Sequence, residues 1–255
     1  MIPVLDHLSL SKGTVDVRGA KPGCTELAAP ADPRPLFLGV DNGNIFSISS
    51  PLGVEMAVTL EHLDVSSDGN YGPTLSVTGF GGANETVVIK DSVVAAITVA
   101  DGASASLVNA LVARNTSSTS TKSISVSAES SFTGIASTFA DLRVSYAPSA
   151  TGTFTQNIAW STMGGGFEVF SAAPNQIVGT CNMGTGVWRL TCAGAPACDN
   201  EPGVNPLCGE DPGGRTDFWP ASTRVDVCPS GPALDLFNTA RPLGAGFDRG
   251  VFEAM

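Results

Sequence analysis

One repeated position of this chain brings together residues that could carry chemistry. When the segments VTLEHLDVS, VVIKDSVVA, ASLVNALVA, FTGIASTFA and FTQNIAWST are laid over one another, the sequence places five residues at that point: His62, Asp91, Asn109, Gly134 and Gln156. Neighbouring strands of a sheet lie about 4.8 Å apart, so His62 would lie about 5 Å from Asp91. A histidine oriented by a carboxylate can act as a general base or as a metal ligand. The alternative, which we favour, is a structural turn ladder, because Asn and Asp suit tight bends and stacked amides bond one another.

Arg143 is the other catalytic candidate, because the sequence places it at the centre of an outward strand position. Calcium-dependent elimination from a polysaccharide needs several carboxylate ligands beside such a base, and hydrolysis needs two carboxylates that converge on one bond. The carboxylates of the repeated region are scattered, and no Asp-Asp pair occurs there. The pattern therefore predicts a plain, hydroxyl-rich surface rather than a catalytic groove.

An acidic patch in the last third of the chain could hold calcium. It consists of Asp199, Glu201, Glu210 and Asp211. Carboxylate oxygens are the ligands that calcium prefers, although unpaired surface acids would give the same pattern. No other cofactor is predicted.

The six cysteines indicate an oxidising compartment. They form no C-x-x-C pair, and the only histidines, His7 and His62, are far from them in sequence, so a zinc site is disfavoured. Disulfides are the better interpretation. Sequence does not fix the connectivity; the pairing that closes the shortest loops is Cys181–Cys192 and Cys198–Cys208, which leaves Cys24 and Cys228.

The elements that must position these residues form a ladder of short alternating strands. The first series consists of the trios Phe46-Ser47-Ile48, Leu75-Ser76-Val77, Ile97-Thr98-Val99, Ile124-Ser125-Val126, Leu142-Arg143-Val144 and Phe167-Glu168-Val169. The trios interleave with the nine-residue segments above and recur every 18 to 29 residues or so, as in a solenoid. Alternation of apolar and polar residues turns one face of each strand inward. A single repeat cannot bury that face, so successive repeats must stack on one another.

This pattern predicts an all-β fold, a right-handed parallel β-helix of about six core coils. We expect an N-terminal cap and first coil over residues 1–44, the core over 45–170, and an irregular disulfide-bearing C-terminal cap over 171–255, all in one continuous domain. A β-sandwich with strands at regular spacing is the alternative. Val77 and Val99 lie in neighbouring strands only if the repeats stack.

Composition excludes several classes of partner. The chain has 255 residues with 13 basic against 24 acidic side chains, a net charge of −11, so neither nucleic acid nor an anionic membrane surface is an expected partner. No apolar run is long enough to span a membrane as a helix, and no signal peptide is recognisable at the start. The oligomeric state is left open.

The C-terminal part of the chain resembles a known family. The segments Asn205-Pro206-Leu207, Ser230-Gly-Pro-Ala-Leu-Asp235 and Arg241-Pro-Leu-Gly-Ala-Gly-Phe-Asp-Arg-Gly-Val-Phe-Glu253 resemble the closing motif of bacterial parallel β-helix proteins of the pectin-lyase-like superfamily with a choice-of-anchor Q C-terminus. Val17-Arg18-Gly19-Ala20 and Thr59-Leu-Glu-His-Leu-Asp-Val65 resemble the beginning of such proteins. The chain departs from the pattern at Arg249, where the family has an apolar residue.

The resemblance implies a secreted or cell-surface protein built as a stiff rod. It implies no single activity, since this fold carries lyases, hydrolases and adhesins alike. We therefore expect a non-enzymatic structural or carbohydrate-binding role, with a polysaccharide or a cell-surface component as partner. The alternative is a polysaccharide lyase or glycoside hydrolase that acts on acidic polysaccharide.

Overall fold

The fold is known from a computed structural model of the whole chain. The structure describes residues 2–3, 8–10, 13–20, 26–28, 32–39, 46–49, 54–67, 75–79, 85–112, 122–140, 142–147, 149–160, 168–170, 177–184, 191–192, 201–202, 226–228, 231–236, 239–242 and 247–248. All regular elements of this part are β-strands, so the expected all-β class is confirmed. No described helix is long and apolar enough to cross a membrane.

Three parallel sheets contain nearly all of the strands. Sheet A consists of β1 (Ile2–Pro3), β4 (Leu36–Gly39), β7 (Asp64–Ser67), β10 (Val93–Val94), β13 (Leu111–Val112), β16 (Thr138–Ala140), β19 (Ile158–Trp160), β22 (Met183–Gly184) and β24 (Glu201–Pro202). Sheet B consists of β2 (Leu8–Leu10), β5 (Phe46–Ser49), β8 (Leu75–Thr78), β11 (Ile97–Ala100), β14 (Lys122–Val126), β17 (Leu142–Tyr146) and β20 (Glu168–Phe170). Sheet C consists of β3 (Gly13–Arg18), β6 (Met56–Glu61), β9 (Glu85–Lys90), β12 (Ser104–Val108), β15 (Ser131–Ile135), β18 (Thr151–Thr155), β21 (Ile177–Thr180) and β23 (Thr191–Cys192).

From β1 to β22 the chain visits the three sheets in rotation, so each sheet receives every third strand. We call one B strand with the C and A strands that follow it a rung. Val77 pairs with Val99 in parallel neighbouring strands, as predicted. The parallel pairing within all three sheets contradicts the antiparallel layers of a sandwich and is compatible with a parallel β-helix. The sheets continue beyond residue 170, where the ladder was expected to end, through β21 to β24.

The core fills the space between the sheets because apolar residues alternate with polar ones along each strand. Phe46 and Ile48 of β5 are buried, as are Leu75 and Val77 of the next rung. In the later rungs the core contains aromatic side chains, and the Phe154 ring contacts those of Phe132 and Phe139 with centroids 6.0 Å apart in each pair. Such ring contacts stabilise a core by about 0.5–1.5 kcal/mol each beyond the area that they bury.

The pairing of β15 with β18 differs from the expected alignment. Gly152 lies opposite Phe132, and Phe154 lies opposite Gly134. Each large ring of one strand thus faces a glycine of the other. A larger residue would not fit at Gly134, because even its Cβ would come within 3.1 Å of the Phe154 ring. Alignment of Phe132 with Phe154 in the sequence was therefore wrong by two residues.

The C-terminal segment forms an antiparallel hairpin rather than a further rung. β25 (Asp226–Cys228) pairs with β26 (Phe247–Asp248), and Leu234 is bridged to Ala240 between them. The Asp235 carboxylate accepts a 2.7 Å hydrogen bond from the Thr239 amide and closes the tip. Ala233 and Leu234 of the quoted C-terminal motif thus lie beside Ala240 and Arg241.

Candidate functional site

The predicted column of His62, Asp91 and Asn109 is the bend between sheets C and A. Positive φ angles of 45° to 60° recur there in six successive rungs, at His62, Asp91, Asn109, Ala136, Gln156 and Cys181. The left-handed conformation turns the chain sharply, and among residues with a side chain Asn and Asp adopt it most readily. Ala136, and not Gly134, occupies this position in its rung, because Gly134 lies inside β15.

His62 is deeply buried at this bend, with 4% of its surface exposed. Its Nε2 lies 2.9 Å from the Asp32 carbonyl oxygen, which only accepts, so Nε2 carries the proton and Nδ1 presents a lone pair. No hydrogen-bond partner for Nδ1 is found in the described part of the chain. Burial and the nearby Arg34 guanidinium lower the pKa of His62 below its ordinary value of 6.5, although the Asp32 carbonyl and the carboxylates of Asp91 and Asp32 oppose the shift. His62 is therefore a neutral, enclosed imidazole at neutral pH.

Asp91 turns its carboxylate toward the next rung instead of toward His62. Its Oδ1 accepts a 2.6 Å hydrogen bond from Asn109 Nδ2, which is the rung-to-rung contact of a turn ladder. A general base has to reach the proton that it removes from a substrate. The burial of His62 and the Asp91–Asn109 contact favour the structural interpretation of this column.

Arg34 joins this column to the C-terminal hairpin. Its Nε donates a 2.7 Å hydrogen bond to the Asp91 carbonyl oxygen, and its NH2 group donates to the carbonyl oxygen of Leu236, 202 residues away in sequence. Leu236 is 2% exposed, so the hairpin tip is packed against the early rungs. Sequence reasoning missed Arg34. The flanking Pro33 and Pro35 indicate an extended segment, but nothing in the pattern identifies what it contacts.

A second polar ladder, which sequence reasoning also missed, runs through the interior one residue beyond the bend. Ser92 Oγ accepts from the Leu63 amide at 3.0 Å, and Ser137 Oγ accepts from the Ala110 amide at 3.2 Å. In later rungs amides replace the hydroxyls: Asn157 Nδ2 donates to Asn182 Oδ1 at 3.0 Å. The signal in the sequence was a polar residue in the otherwise apolar positions that follow each bend.

The outer face of sheet C changes character along its length. In the first rungs it carries a charged column, in which Glu61 lies 3.2 Å from Arg18 Nε and 2.9 Å from Lys90 Nζ. In β12, β15 and β18 the outward positions carry hydroxyl groups beside half-buried Val108 and Ile135. We call this set the hydroxyl face: Ser104, Ser106, Ser131, Thr133, Thr151 and Thr153. Ser131 Oγ donates to Ser104 Oγ at 2.8 Å, so hydroxyls of adjacent rungs are in register.

The remaining predicted site residues are only partly placed. Arg143 lies in β17, between Ser123 and Glu168 of the neighbouring strands, and Glu201 begins β24; the side chains of both lie outside the described part. Asp199, Glu210 and Asp211 lie outside the described residues altogether, so the calcium patch stays a prediction. Within the described residues no group of three or more His, Cys, Asp or Glu side chains could hold a metal ion.

Cys181 is disulfide-bonded and 4% exposed. Cys192 and Cys228 lie in β23 and β25, but their side chains are not among those described. Cys24, Cys198 and Cys208 lie outside the described residues. The pairings Cys181–Cys192 and Cys198–Cys208 therefore stay predictions.

One buried carboxyl group has no counterpart in the predicted site. Glu85 is fully buried at the start of β9, and neither of its side-chain oxygens has a hydrogen-bond partner among the described residues. It lies at the bend between sheets B and C, against Gly79. Such a group costs stability unless something neutralises it.

Fold and surface together define an all-β protein of stacked parallel sheets with a structural bend column and an uncharged hydroxyl face. Comparison with protein-family models, with curated proteins and with solved structures finds no match.

Proposed function

We propose that this chain is a right-handed parallel β-helix protein, exported or displayed at the cell surface, that binds an uncharged polysaccharide without chemically altering it. Strand–crossover–strand connections within a parallel sheet are right-handed in about 98% of proteins, which supports the handedness. The disulfide-bonded Cys181 and the cysteine-rich region after it support an oxidising compartment and a disulfide-bearing C-terminal cap.

The hydroxyl face is the observation that carries the proposal. Its side chains offer hydroxyl donors and acceptors in rows about 4.8 Å apart, and Thr151 and Thr153 are exposed. Val108 and Ile135 beside them supply apolar surface for the C–H faces of sugar rings. Sugars present the same mixture of hydroxyl and apolar groups.

Charge distinguishes between kinds of polysaccharide. None of the outward positions of β12, β15 and β18 carries a charge, and the chain as a whole has a net charge of −11. An acidic polymer would be repelled by this balance and would find no cation on the hydroxyl face. An uncharged glycan is therefore the better fit.

A glycan array combined with an absorbance assay for unsaturated products on uronic-acid polymers tests the proposal. We expect wild-type protein to retain neutral glycans and to release no product. Thr153→Arg places a long charged side chain on the hydroxyl face and should abolish retention, whereas Ala57→Arg, exposed in β6 on the charged half of the same sheet, should not. Release of unsaturated product would overturn the proposal and favour a lyase. Equal retention by the two variants would overturn the assignment of binding to the hydroxyl face.

A further inference from the structure

Among the described strands, β3 is the first of sheet C and lies at one end of the core. β3 pairs with β6 on one side, and no described strand pairs with it on the other. Its inward residues Val15 and Val17 are only partly buried, whereas their neighbours in β6, Val58 and Leu60, are each 1% exposed. Among the described residues, therefore, no strand covers the end of the core at this point.

The backbone of β3 presents along that edge hydrogen-bonding groups that no described strand pairs with. The Gly19 amide donates to the Glu61 carbonyl oxygen of β6 at 3.0 Å, and the groups of successive residues alternate between the two edges of a strand. The amides and carbonyls of Thr14, Asp16 and Arg18 therefore face outward, away from β6. Sheet A, in contrast, begins at this end with β1, which contains Pro3 and lacks one donor.

The charges on this edge are balanced. Asp16 and Arg18 lie two residues apart on the outer face, where Arg18 Nη2 is 3.8 Å from Asp16 Oδ2, and 50% and 47% of their side-chain surface is exposed. Like charges along an edge would prevent pairing with a second copy of the same strand. One acid and one base do not, because an antiparallel partner can bring each opposite its complement.

We propose that two copies of this chain form a dimer through antiparallel pairing of their β3 strands, about a two-fold axis at Val17. In this register Asp16 lies opposite Arg18 of the second copy and Arg18 opposite Asp16, so both charge pairs are complementary. The outward amides and carbonyls of these residues form the hydrogen-bonded pairs, and the two Val17 side chains meet on the inner face. Leu27, which is 61% exposed and bridged to Ala20 just beyond β3, extends the apolar surface at the same end.

Charge selects this register over its neighbours. A two-fold axis at Asp16 would place two aspartates opposite each other, and an axis at Arg18 would pair two arginines. Each of these registers is disfavoured by like-charge repulsion across the strands. A two-fold interface of this kind is self-complementary and closes at two copies, so it does not propagate into fibres.

Sedimentation analysis of charge-reversal variants tests the dimer. We expect wild-type protein to associate reversibly to twice its 25.9 kDa mass. Asp16→Arg and Arg18→Asp should each weaken the dimer by about tenfold or more, because each creates two like-charge pairs. Ser125→Arg, exposed on sheet B, should leave the dimer intact.

Mixing the two weakened variants gives the sharpest result. One variant then carries two arginines and the other two aspartates, so the proposed register makes every opposed pair complementary and a heterodimer should form. Circular dichroism and melting temperatures check that both variants are folded, since Arg18→Asp also loses the ion pair with Glu61. Three results would each overturn the proposal: a wild type that is monomeric at every concentration, single variants that dimerise as wild type does, or a mixture that stays monomeric. The first of these would mean that something other than a second copy occupies this edge.

Discussion

Replacing Asn157 by alanine should weaken the whole stack, because this side chain is fully buried and serves both neighbouring rungs. Its Oδ1 accepts from the Ser137 amide at 3.0 Å, and its Nδ2 donates to the Gly134 carbonyl oxygen at 2.9 Å. Alanine leaves the buried Ser137 amide without its acceptor, and it removes one donor each from the Gly134 carbonyl oxygen and from Asn182 Oδ1 in the next rung. The orphaned amide costs about 1–3 kcal/mol and the two weakened acceptors add to it, so we expect a total loss of about 3–4 kcal/mol in the free energy of unfolding.

The measurement is urea denaturation followed by circular dichroism, with thermal melting beside it. For a chain of this length the expected loss corresponds to a decrease of about 10 °C in Tm. Thr155→Ala is the matched control, since Thr155 lies two residues earlier on the outer face and its loss should change stability by less than about 0.5 kcal/mol. Equal stability of Asn157→Ala and Thr155→Ala would show that the interior ladder does not hold the rungs together.

Three further changes test separate parts of the structure. Glu85→Met should stabilise the protein by about 1–3 kcal/mol in urea denaturation, because it removes a buried carboxyl group that no described residue pairs with; a loss of stability would contradict this. Gly152→Ala should destabilise by about 1–3 kcal/mol, because its Cβ would come within 2.8 Å of Tyr146 Cζ; an unchanged Tm would contradict this packing. Since the pKa of His62 is lowered on folding, its contribution to stability is present above pH 6.5 and is lost as the pH falls through the folded-state pKa, so wild-type Tm should fall more between pH 7.5 and pH 5 than that of His62→Asn.

The stacking of the rungs could be predicted because two independent series of apolar residues kept the same order along the chain. Phe46, Leu75 and Ile97 begin successive strands of sheet B, in the register that their alternation indicates. The polar bend column was also predictable, since Asp91 and Asn109 favour the conformation that the bend requires.

Two features could not be predicted from local patterns. The similarity of their sequence segments aligned Phe132 with Phe154. Packing requires a small residue opposite each ring, so the residue paired with Phe132 in the neighbouring strand is Gly152. The environment of His62 depends on Asp32 and Arg34, which reach it from a proline-rich segment with no periodicity. Contacts between distant segments of a chain leave no local trace in its sequence.

The proposed role of the hydroxyl face is tested most directly by NMR titration of the labelled protein with a neutral glycan that the array retains. Amide and threonine methyl shifts should concentrate on Ser106, Thr133 and Thr153, and Thr153→Arg should remove them. Shifts that centre on Arg143, with the hydroxyl face unchanged, would contradict this role.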